Sequence, residues 1–548
     1  MKRISKFLDE EEFNYKDFII LGIIVLFYSI LSFINLGTTK APQTFYKIDN
    51  KDGITIKFKS NSDINRIIFY NGEEAGEYKI ELSEDGKKYN EDIQMTGSGA
   101  FSWDTGKLNK KAKYIRIKAK EGNLILGEIA FYDNSNNKMT CTITHNKKQV
   151  LNLTDEALTV PERISHLNSS YFDEVYFARS AYDYANNKEV YDWVHPPLGK
   201  MIESIPIKLS GKMAPFYYRV AGNIFGILII VVMYLFGKLM FKKRKYACLA
   251  ALLMTFDTLH FAQTRIGTID SYLTLFVILE YYFMFRYIKY SKTKDIGLSG
   301  LFFALAASVK WSGLWSGIGL CIIYIINKFI TKERILPFIG KGITFFIVIP
   351  VLLYTLFYIS YPNINNIKTT GIKEIVYQSK DMYKYHHELN VDHPYASKWY
   401  TWPVSYKPVW YYTNSVDATN RETIVGIGNI MIWWPAIITF LLLPYYIIKK
   451  KNKKSAFLLI AVLSMYLPYA FISRPMFLYH YFIILPFMML SIVNFFYQTN
   501  KNNKKDILML LYLVLIITTF IIYYPVISGV SVSNDYIERT KILSSWEY

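Results

Sequence analysis

The chain has 548 residues, of which 52% are hydrophobic and 17% aromatic, and its formal net charge is +19. This length exceeds one compact soluble domain, and many apolar runs approach or exceed the roughly 18 residues that cross a bilayer. The basic residues stand in short loops between these runs, which argues against nucleic-acid binding. The three cysteines are far apart and suggest no disulfide framework. The sequence therefore predicts a polytopic α-helical membrane protein.

The apolar runs predict about eleven membrane-spanning helices. The first, residues 18–34, is not followed by a small-residue cleavage site, so we expect a retained helix rather than a signal peptide. The other ten are predicted at residues 216–241, 246–261, 266–287, 296–309, 311–329, 343–359, 424–448, 456–472, 477–497 and 507–523. We expect a break at Lys310, because one helix over 296–329 would be about 50 Å long against an apolar core of about 30 Å.

Basic loops predict the orientation of these helices. With the N-terminus in the cytoplasm, the loops that contain Lys242–Lys245 and Lys449–Lys454 also lie inside, as the positive-inside rule requires. The large polar segments then share the external face, where we expect the chemistry. The predicted regions are an N-terminus with the first helix (1–40), an external β-sandwich (41–150), an external loop (151–214), helices (215–361), a second external loop (362–422), helices (423–527) and an external tail (528–548).

Residues 41–150 differ in pattern from the rest of the chain. Short runs with period-two alternation, separated by glycine-containing turns, predict a β-sandwich, with strands at residues 54–58, 66–70, 78–82, 114–118 and 128–132. Two segments, Tyr114–Asp133 and Ser83–Tyr89, resemble the last strands and the middle hairpin of discoidin-type, galactose-binding-like domains. That resemblance implies either a glycan-binding module or a structural appendage.

Two adjacent carboxylates, Asp173 and Glu174, stand in an aromatic-rich segment just outside the predicted membrane. On a helix they would point about 100° apart, so they are poorly arranged to share one proton. One can act as a base while the other orients a ligand or a helix. The alternative is an ordinary solvated acidic pair.

The cluster from His195 to Lys200, with sequence HPPLGK, follows 21 residues after Glu174. Its two prolines fix the backbone and end any preceding helix. His195 and Lys200 flank this turn and can bind phosphate at the membrane surface. The alternative is a helix-start turn with a snorkelling lysine.

Taken together, these motifs resemble the protein O-mannosyltransferase family. The pattern FDE…HPPLGK is followed by Tyr218-Arg219-Val220, and further matching segments stand at 263–270, 393–403, 407–412 and 477–482. In order, they cover residues 160–500. The resemblance implies a GT-C-type membrane glycosyltransferase that moves a hexose, mannose above all, from a polyprenyl-phosphate donor to Ser or Thr hydroxyls of exported proteins, with inversion. The inserted β-domain departs from the β-trefoil module that eukaryotic members carry in a later loop.

The chemistry of such a transfer assigns roles to particular residues. Asp173 matches the catalytic aspartate of the family and would take the proton of the acceptor hydroxyl, while Glu174 would make acceptor or structural contacts. A departing phosphate needs positive charge or hydrogen-bond donors. The candidates are His195, Lys200, Arg219, Arg265 and His480. Asp270 is expected either to bind the sugar or to pair with Arg265.

The late external loop supplies candidate contacts to the acceptor or the sugar. Flat aromatic faces suit stacking on sugar or peptide, although an interfacial aromatic belt would look the same. The predicted contacts are His393, Trp399, Trp402 and Tyr479. The histidines of this loop lack recognised metal-ligand spacing, so we expect no metal and no cofactor besides the polyprenyl-phosphate sugar, which is a co-substrate.

Two other functions remain compatible with the sequence. The first is transfer of a lipid-linked sugar to a lipid or a cell-wall polymer; relatives that act on lipid A carry Lys where this chain has His195, which favours a protein acceptor. The second is a non-enzymatic glycan sensor or a transporter, although the paired repeats common in transporters are not evident. The expected location is the cell membrane, with the active site outside and membrane lipid as a partner.

Overall fold

The computed structural model describes residues 9–360, 372–500 and 503–548, which form two compact units. The helical unit takes the described residues of Met1–Ile34, Asn187–Glu203 and Val220–Tyr548, and the sheet unit takes Asn35–Asn186 and Ser204–Arg219. Three predicted features lie wholly or partly outside the described residues: the charged segment before residue 9, the start of the second external loop at 361–371, and positions 501–502 of a basic loop.

Helices make up about half of the described residues. They are α1 (Tyr15–Phe33), α2 (Glu174–Ala185), α3 (Leu198–Ser210), α4 (Pro215–Phe241), α5 (Arg244–Thr255), α6 (Thr258–Gln263), α7 (Asp270–Tyr290), α8 (Thr293–Val309), α9 (Gly313–Thr331), α10 (Ile335–Ile343), α11 (Ile349–Ile359), α12 (Ile372–Glu388), α13 (Ile430–Leu441), α14 (Leu443–Lys450), α15 (Lys453–Tyr466), α16 (Leu485–Thr499), α17 (Asp506–Ser528) and α18 (Asn534–Thr540). The break predicted at Lys310 is confirmed, because α8 ends at Val309 and α9 begins at Gly313.

Within the described residues, seven helical segments are long and apolar enough to cross a membrane. They are Tyr15–Phe33, Pro215–Phe241, Gly313–Thr331, Ile335–Ile359, Ile430–Lys450, Lys453–Phe471 and Asp506–Ser528. The polytopic helical architecture is therefore confirmed, while the count of eleven stays a prediction. The other four predicted spans hold short helices or, in α7, a helix that carries Asp270, Glu280 and Arg286. Most side chains of α7 are buried in the protein, so this helix can carry charged residues that a lipid-facing helix would not.

The span predicted from residue 424 begins too early. Residues Asn420–Gly426 form strand β11, and α13 begins only at Ile430, where Asn429 Oδ1 accepts the N–H of Met431 at 3.0 Å. The last residues of the strand are apolar, as is the helix, and hydropathy alone does not separate the two.

Strand β11 belongs to a small three-stranded sheet. Strand β10 (Val409–Ser415) pairs with β11, and β11 pairs with β12 (Val532–Ser533), all antiparallel. The segments predicted to form the second external loop and the external tail are therefore joined by strand pairing, a contact that the sequence did not predict. The same loop also contains α12.

The sheet unit contains one antiparallel sheet of nine strands. They are β1 (Tyr46–Asp49), β2 (Ile54–Asn71), β3 (Glu77–Ser83), β4 (Asn90–Thr96), β5 (Trp103–Ala119), β6 (Asn123–Tyr132), β7 (Lys138–Met139), β8 (Cys141–His145) and β9 (Lys148–Gln149). The main order is β1-β6-β2-β5-β3-β4. Register shifts between β2 and β5 bend these two long strands. The result is one curled sheet around an apolar core, where the sequence predicted a two-layer sandwich. All five predicted strand segments lie within strands.

A second apolar cluster fixes α2 within the sheet unit. Ala178 and Ala181 of α2 pack in the same core as Tyr70 and Trp103 of the sheet, and all four side chains are buried. Small side chains on this face let the helix backbone approach the large aromatic rings closely. The position of the segment before α2, which contains Asp173, therefore depends on the sheet.

Candidate active site

A sharp turn sets the environments of the two adjacent carboxylates. Phe172 adopts a φ of +52°, in the left-handed region that non-glycine residues rarely occupy. Tyr171 N donates to Glu174 Oε2 at 3.1 Å, and Glu174 N donates to Tyr171 O at 3.2 Å, so the turn is closed on both sides. Asp173, immediately before α2, is half-buried, whereas Glu174 is fully buried. The two carboxylates therefore differ in solvent access, as their adjacent helical positions predict.

Glu174 forms a buried bidentate ion pair with Arg219. Arg219 Nε donates to Glu174 Oε1 at 2.6 Å, and Arg219 Nη2 donates to Glu174 Oε2 at 2.7 Å. The remaining guanidinium hydrogens donate to the carbonyls of Leu36, His166 and Ser169, at 3.0, 2.7 and 3.0 Å. All five N–H donors of Arg219 are thus engaged.

This geometry gives Arg219 a role that differs from the predicted contact with the donor phosphate, and for Glu174 it favours the structural one of the two predicted kinds of contact. The donors of Arg219 are directed at Glu174 and at backbone carbonyls. Glu174 is likewise held in a buried pair rather than offered to an acceptor. The arrangement favours a positioning role for both Arg219 and Glu174, because their ion pair holds the turn that carries Asp173.

Lys200 anchors the HPPLGK turn from inside. Its buried ammonium donates to the Asp192 carbonyl, to Asp192 Oδ2 at 3.2 Å and to the His195 carbonyl at 2.9 Å. Burial lowers the pKa of Lys200, and Asp192 offsets part of this effect. Next to it, Gly199 lies so close to Ile269 that a Cβ atom would meet that side chain at 2.7 Å. Lys200 therefore shapes the turn, where the sequence predicted a phosphate ligand.

A cavity of about 300 Å³ in the helical unit is lined by cationic and imidazole side chains. We call it the cationic cavity; its polar lining includes His195, Lys310, His386, Arg474 and His480. The structure thus brings together two predicted phosphate-site residues, His195 and His480, which are 285 positions apart in the chain. It adds Lys310 and Arg474, which the sequence analysis missed as site residues.

Two of the histidines form a stacked pair. The rings of His195 and His386 lie 5.5 Å apart, and His386 Nε2 lies 2.9 Å from the Val194 carbonyl. Burial, with nearby Lys310, holds the pKa of His195 well below its usual range. Burial also lowers the pKa of His386 to about 4. Both imidazoles are therefore neutral at pH 7, and the positive charge of the cationic cavity comes from Lys310 and Arg474.

Lys310 is held by Asp270. Lys310 Nζ lies 3.0 Å from Asp270 Oδ1, and Gln263 Nε2 donates to Asp270 Oδ2 at 3.3 Å. Tyr411 Oη, on β10, donates to Gln263 Oε1. The expected partner of Asp270, Arg265, is replaced by Lys310, because the break between α8 and α9 brings Lys310 to the start of α7.

Arg265 is directed elsewhere. Its Nε donates to the Ser32 carbonyl at 3.0 Å and its Nη2 to the Ile34 carbonyl at 2.6 Å, beyond the end of α1. Its guanidinium also lies 4.7 Å from the centre of the Phe261 ring. Arg265 is not among the described residues that line the cationic cavity. Its predicted contact with the donor phosphate stays a prediction.

Aromatic stacking holds His480 in the wall of the cavity. The His480 ring lies 5.9 Å from the Trp402 ring and 4.8 Å from the Tyr479 ring, nearly parallel to both. Trp402 is fully buried, and its Nε1 donates to Ser397 Oγ at 3.0 Å. Trp402 therefore supports His480, whereas the sequence predicted a contact with acceptor or sugar. Tyr479 lies 5.8 Å from the ammonium of Lys310.

A wider groove of about 800 Å³ contains the other predicted contacts. We call it the loop groove; His393, Lys398, Trp399 and Tyr400 line it together with Arg474. Arg474 also lines the cationic cavity, so its segment borders both spaces. The predicted acceptor contacts His393 and Trp399 thus lie in a groove adjacent to the cationic cavity.

The described residues contain no group of three or more His, Cys, Asp or Glu side chains arranged to hold a metal ion. The histidines of the cationic cavity have basic neighbours and no carboxylate among the described lining residues. Metal independence stays a prediction.

Comparisons with known proteins cover most of the chain. The family model for dolichyl-phosphate-mannose-protein mannosyltransferase matches residues 157–366, and the model for the C-terminal four-transmembrane region of protein O-mannosyltransferase matches residues 372–546. The curled sheet precedes both matches. A polyprenol-phosphate-mannose–protein mannosyltransferase from Corynebacterium glutamicum is 24% identical over 306 residues, covering 44% of this chain and 58% of that protein. One of the same name from Mycolicibacterium smegmatis is 22% identical over 388 residues, covering 59% and 75%.

The fold also resembles that of a solved structure. A chain of the Saccharomyces cerevisiae protein O-mannosyltransferase Pmt1–Pmt2 complex bound to the sugar donor aligns with a TM-score of 0.59 at 14% identity. The alignment covers 69% of this chain and 89% of that chain.

Proposed function

The chain belongs to the protein O-mannosyltransferase family, and from this premise we propose that it transfers mannose from a polyprenyl-phosphate donor to serine and threonine hydroxyls of exported proteins. The acceptor oxygen attacks the anomeric carbon of the mannose, and the bond from that carbon to the phosphate oxygen breaks. The products are the O-mannosylated protein and polyprenyl phosphate. Direct displacement inverts the configuration at the anomeric carbon.

The observation that carries this proposal is the composition of the cationic cavity. A leaving phosphate must be stabilised as negative charge develops on it, and fixed cations in a partly enclosed site do this well. Lys310 and Arg474 are the cationic side chains there, and the imidazoles of His195 and His480 add hydrogen-bonding capacity. In our proposal, Arg474 takes the bidentate contact that its planar guanidinium favours.

Asp173 is the proposed general base. It would take the proton of the acceptor hydroxyl, a contribution typically worth about 10²–10⁴ in rate. The environment of the turn supports this assignment: the half-buried Asp173 stands next to a Glu174 that is committed to Arg219. Of the adjacent pair, Asp173 is therefore the carboxylate that the proposal assigns to proton transfer.

The loop groove is the proposed acceptor site. It adjoins the cationic cavity at Arg474, and its aromatic side chains, Trp399 and Tyr400, can stack on an extended peptide. The proposal places both spaces on the external face of the cell membrane, since the basic loops predict that side for the second external loop. No metal or further cofactor takes part in the proposed reaction.

The test is a transfer assay with the purified full chain, polyprenyl-phosphate mannose and a Ser/Thr-containing peptide, with the product identified by mass. Asp173→Asn is expected to lower kcat by at least about 100-fold with little change in donor affinity. Glu162→Gln, an exposed carboxylate of the same unit, is the matched control and should retain full activity. Near-normal turnover by Asp173→Asn would refute the role of the base.

The acceptor is tested in the same assay by competition. Equal amounts of the peptide, a lipid acceptor and a cell-wall polymer fragment are offered together. Mannose found on the peptide supports the proposal, and mannose found only on the lipid or the polymer refutes the protein acceptor. Absence of transfer to every acceptor, with intact donor binding, would favour a glycan sensor.

A further inference from the structure

A second cavity, of about 420 Å³, lies where the ends of four helices meet in the helical unit. The C-terminal ends of α4, α7 and α9 and the N-terminal end of α15 form its walls. These ends carry the basic loops that are predicted to face the cytoplasm. None of its described lining residues lies in the cationic cavity or the loop groove.

The walls of this cavity are apolar and open to the side. Ile323 and Phe457 are buried, whereas Ile326 is 44% exposed and Ile330 is 53% exposed. In a membrane-spanning helix, such exposed side chains face the hydrocarbon of the bilayer. A chain of methylene groups can therefore enter from the lipid and lie along the wall.

Four lysines stand at the rim: Lys242, Lys289, Lys453 and Lys454. No carboxylate is among the described residues that line this space. The nearest recorded ion pair, Lys242 with Glu11 at 3.6 Å, joins two side chains that are more than half exposed, and such pairs neutralise little. We call the space the lysine-rimmed groove.

Two of the rim lysines are held in place by aromatic or backbone contacts. The ammonium of Lys454 lies 3.9 Å from the centre of the Tyr497 ring, and Lys289 Nζ donates to the Leu239 carbonyl at 3.3 Å. Neither contact removes the positive charge. The positive charges of these lysines therefore lie at the polar end of the apolar groove.

We propose that the lysine-rimmed groove binds one anionic phospholipid of the surrounding bilayer, with its phosphate at the lysines and an acyl chain along the isoleucines. The apolar wall matches the acyl chain of such a lipid, and the cationic rim matches its phosphate. Basic pockets between membrane helices on the cytoplasmic side recognise anionic headgroups by this combination. The site uses no residue assigned to the transfer reaction, so it stands or falls separately from the proposed function.

The experiment measures lipid retention by the purified full chain in detergent, by native mass spectrometry. Phosphatidylglycerol and phosphatidylcholine with identical acyl chains are titrated in parallel, and the expected result is selective retention of one phosphatidylglycerol. Lys289→Gln with Lys454→Gln is expected to weaken this retention by about 10- to 30-fold, since each lysine contributes a few-fold. The matched control, Lys294→Gln with Lys449→Gln, removes two exposed lysines outside the groove and should change retention less than about two-fold.

A second variant tests the apolar wall without changing charge. Ala456 lines the groove, and Ala456→Phe is expected to fill it and to abolish selective retention. This variant decides the matter if the double lysine variant does not fold. The proposal would be overturned if the protein retained the two lipids equally, or if both double lysine variants lost the same amount of phosphatidylglycerol. It would also be overturned if an equal concentration of polyprenyl phosphate displaced phosphatidylglycerol.

Discussion

Lys310 Nζ lies 3.0 Å from Asp270 Oδ1, and both side chains are buried. The pair joins the first residue of α7 to the break between α8 and α9. Since Lys310 also lines the cationic cavity, Asp270 determines the position of one of the two cationic side chains there.

We therefore predict that Asp270→Asn raises the KM for the polyprenyl-phosphate donor by about 10-fold or more, the loss expected when a hydrogen bond to a charged group is removed. The KM for the peptide should change little, because Lys310 does not line the loop groove. Steady-state kinetics with both substrates varied would measure this difference.

The control for Asp270→Asn is Asp295→Asn. Asp295 forms a comparable pair with Arg286, at 2.8 Å, and neither residue lines the cationic cavity. It should lower stability without raising the donor KM. An equal rise in KM for both variants would mean that Asp270 acts only on stability.

The buried pair of Glu174 and Arg219 predicts a loss of stability on conservative substitution. Arg219→Lys supplies three donors in place of five and lacks the planar fork that matches a carboxylate. We expect a loss of about 3–5 kcal/mol in the free energy of unfolding, because at least two of the five hydrogen bonds from a charged group are lost and each is worth about 1.5–3 kcal/mol. Thermal unfolding of the purified protein would show it.

An exposed arginine of the same unit is the control for this prediction. Arg163→Lys should change stability by less than about 0.5 kcal/mol. If Arg219→Lys were no more destabilising than Arg163→Lys, the inferred positioning role would be wrong.

The lowered pKa of His386 predicts a pH dependence of stability. Burial lowers this pKa to about 4, against about 6.5 for an unfolded histidine. Between these values the unfolded chain binds more protons than the folded chain, so the free energy of unfolding falls as the pH falls from about 6.5 to 4. His386→Gln should make this fall shallower, as measured by the unfolding temperature at a series of pH values.

His387 offers a neighbouring control on the same helix. It is exposed, and His387→Gln should leave the pH profile unchanged. His195 retains its own lowered pKa in both variants, so some pH dependence is expected to persist. Identical profiles for the two variants would contradict the prediction for His386.

Local patterns in the sequence were sufficient for much of the fold. Period-two alternation gave the strands, and the limit on helix length gave the break at Lys310. The start of α13 was missed, because the apolar residues at the end of β11 are separated from the helix by only three residues, which a hydropathy window does not resolve. The predicted count of eleven membrane spans stays untested, because hydropathy does not show whether a buried helix with charged residues, such as α7, crosses the membrane.

The candidate site was harder to derive, because its contacts join distant parts of the chain. Lys310 and Asp270 are separated by 40 positions, and Glu174 and Arg219 by 45. A sequence motif shows that a charged residue is present, but not whether its partner is a substrate or another side chain. Lys310 did carry a signal, since a lysine at a predicted helix break has a reason to lie at a polar site.

The full engagement of the Arg219 guanidinium has a consequence for how the enzyme could be adapted to new acceptors. All N–H groups of this guanidinium already donate to Glu174 and to the carbonyls of Leu36, His166 and Ser169, so none remains to bind a different substrate. Laboratory evolution toward other peptides should therefore leave position 219 unchanged and accumulate its substitutions around the loop groove.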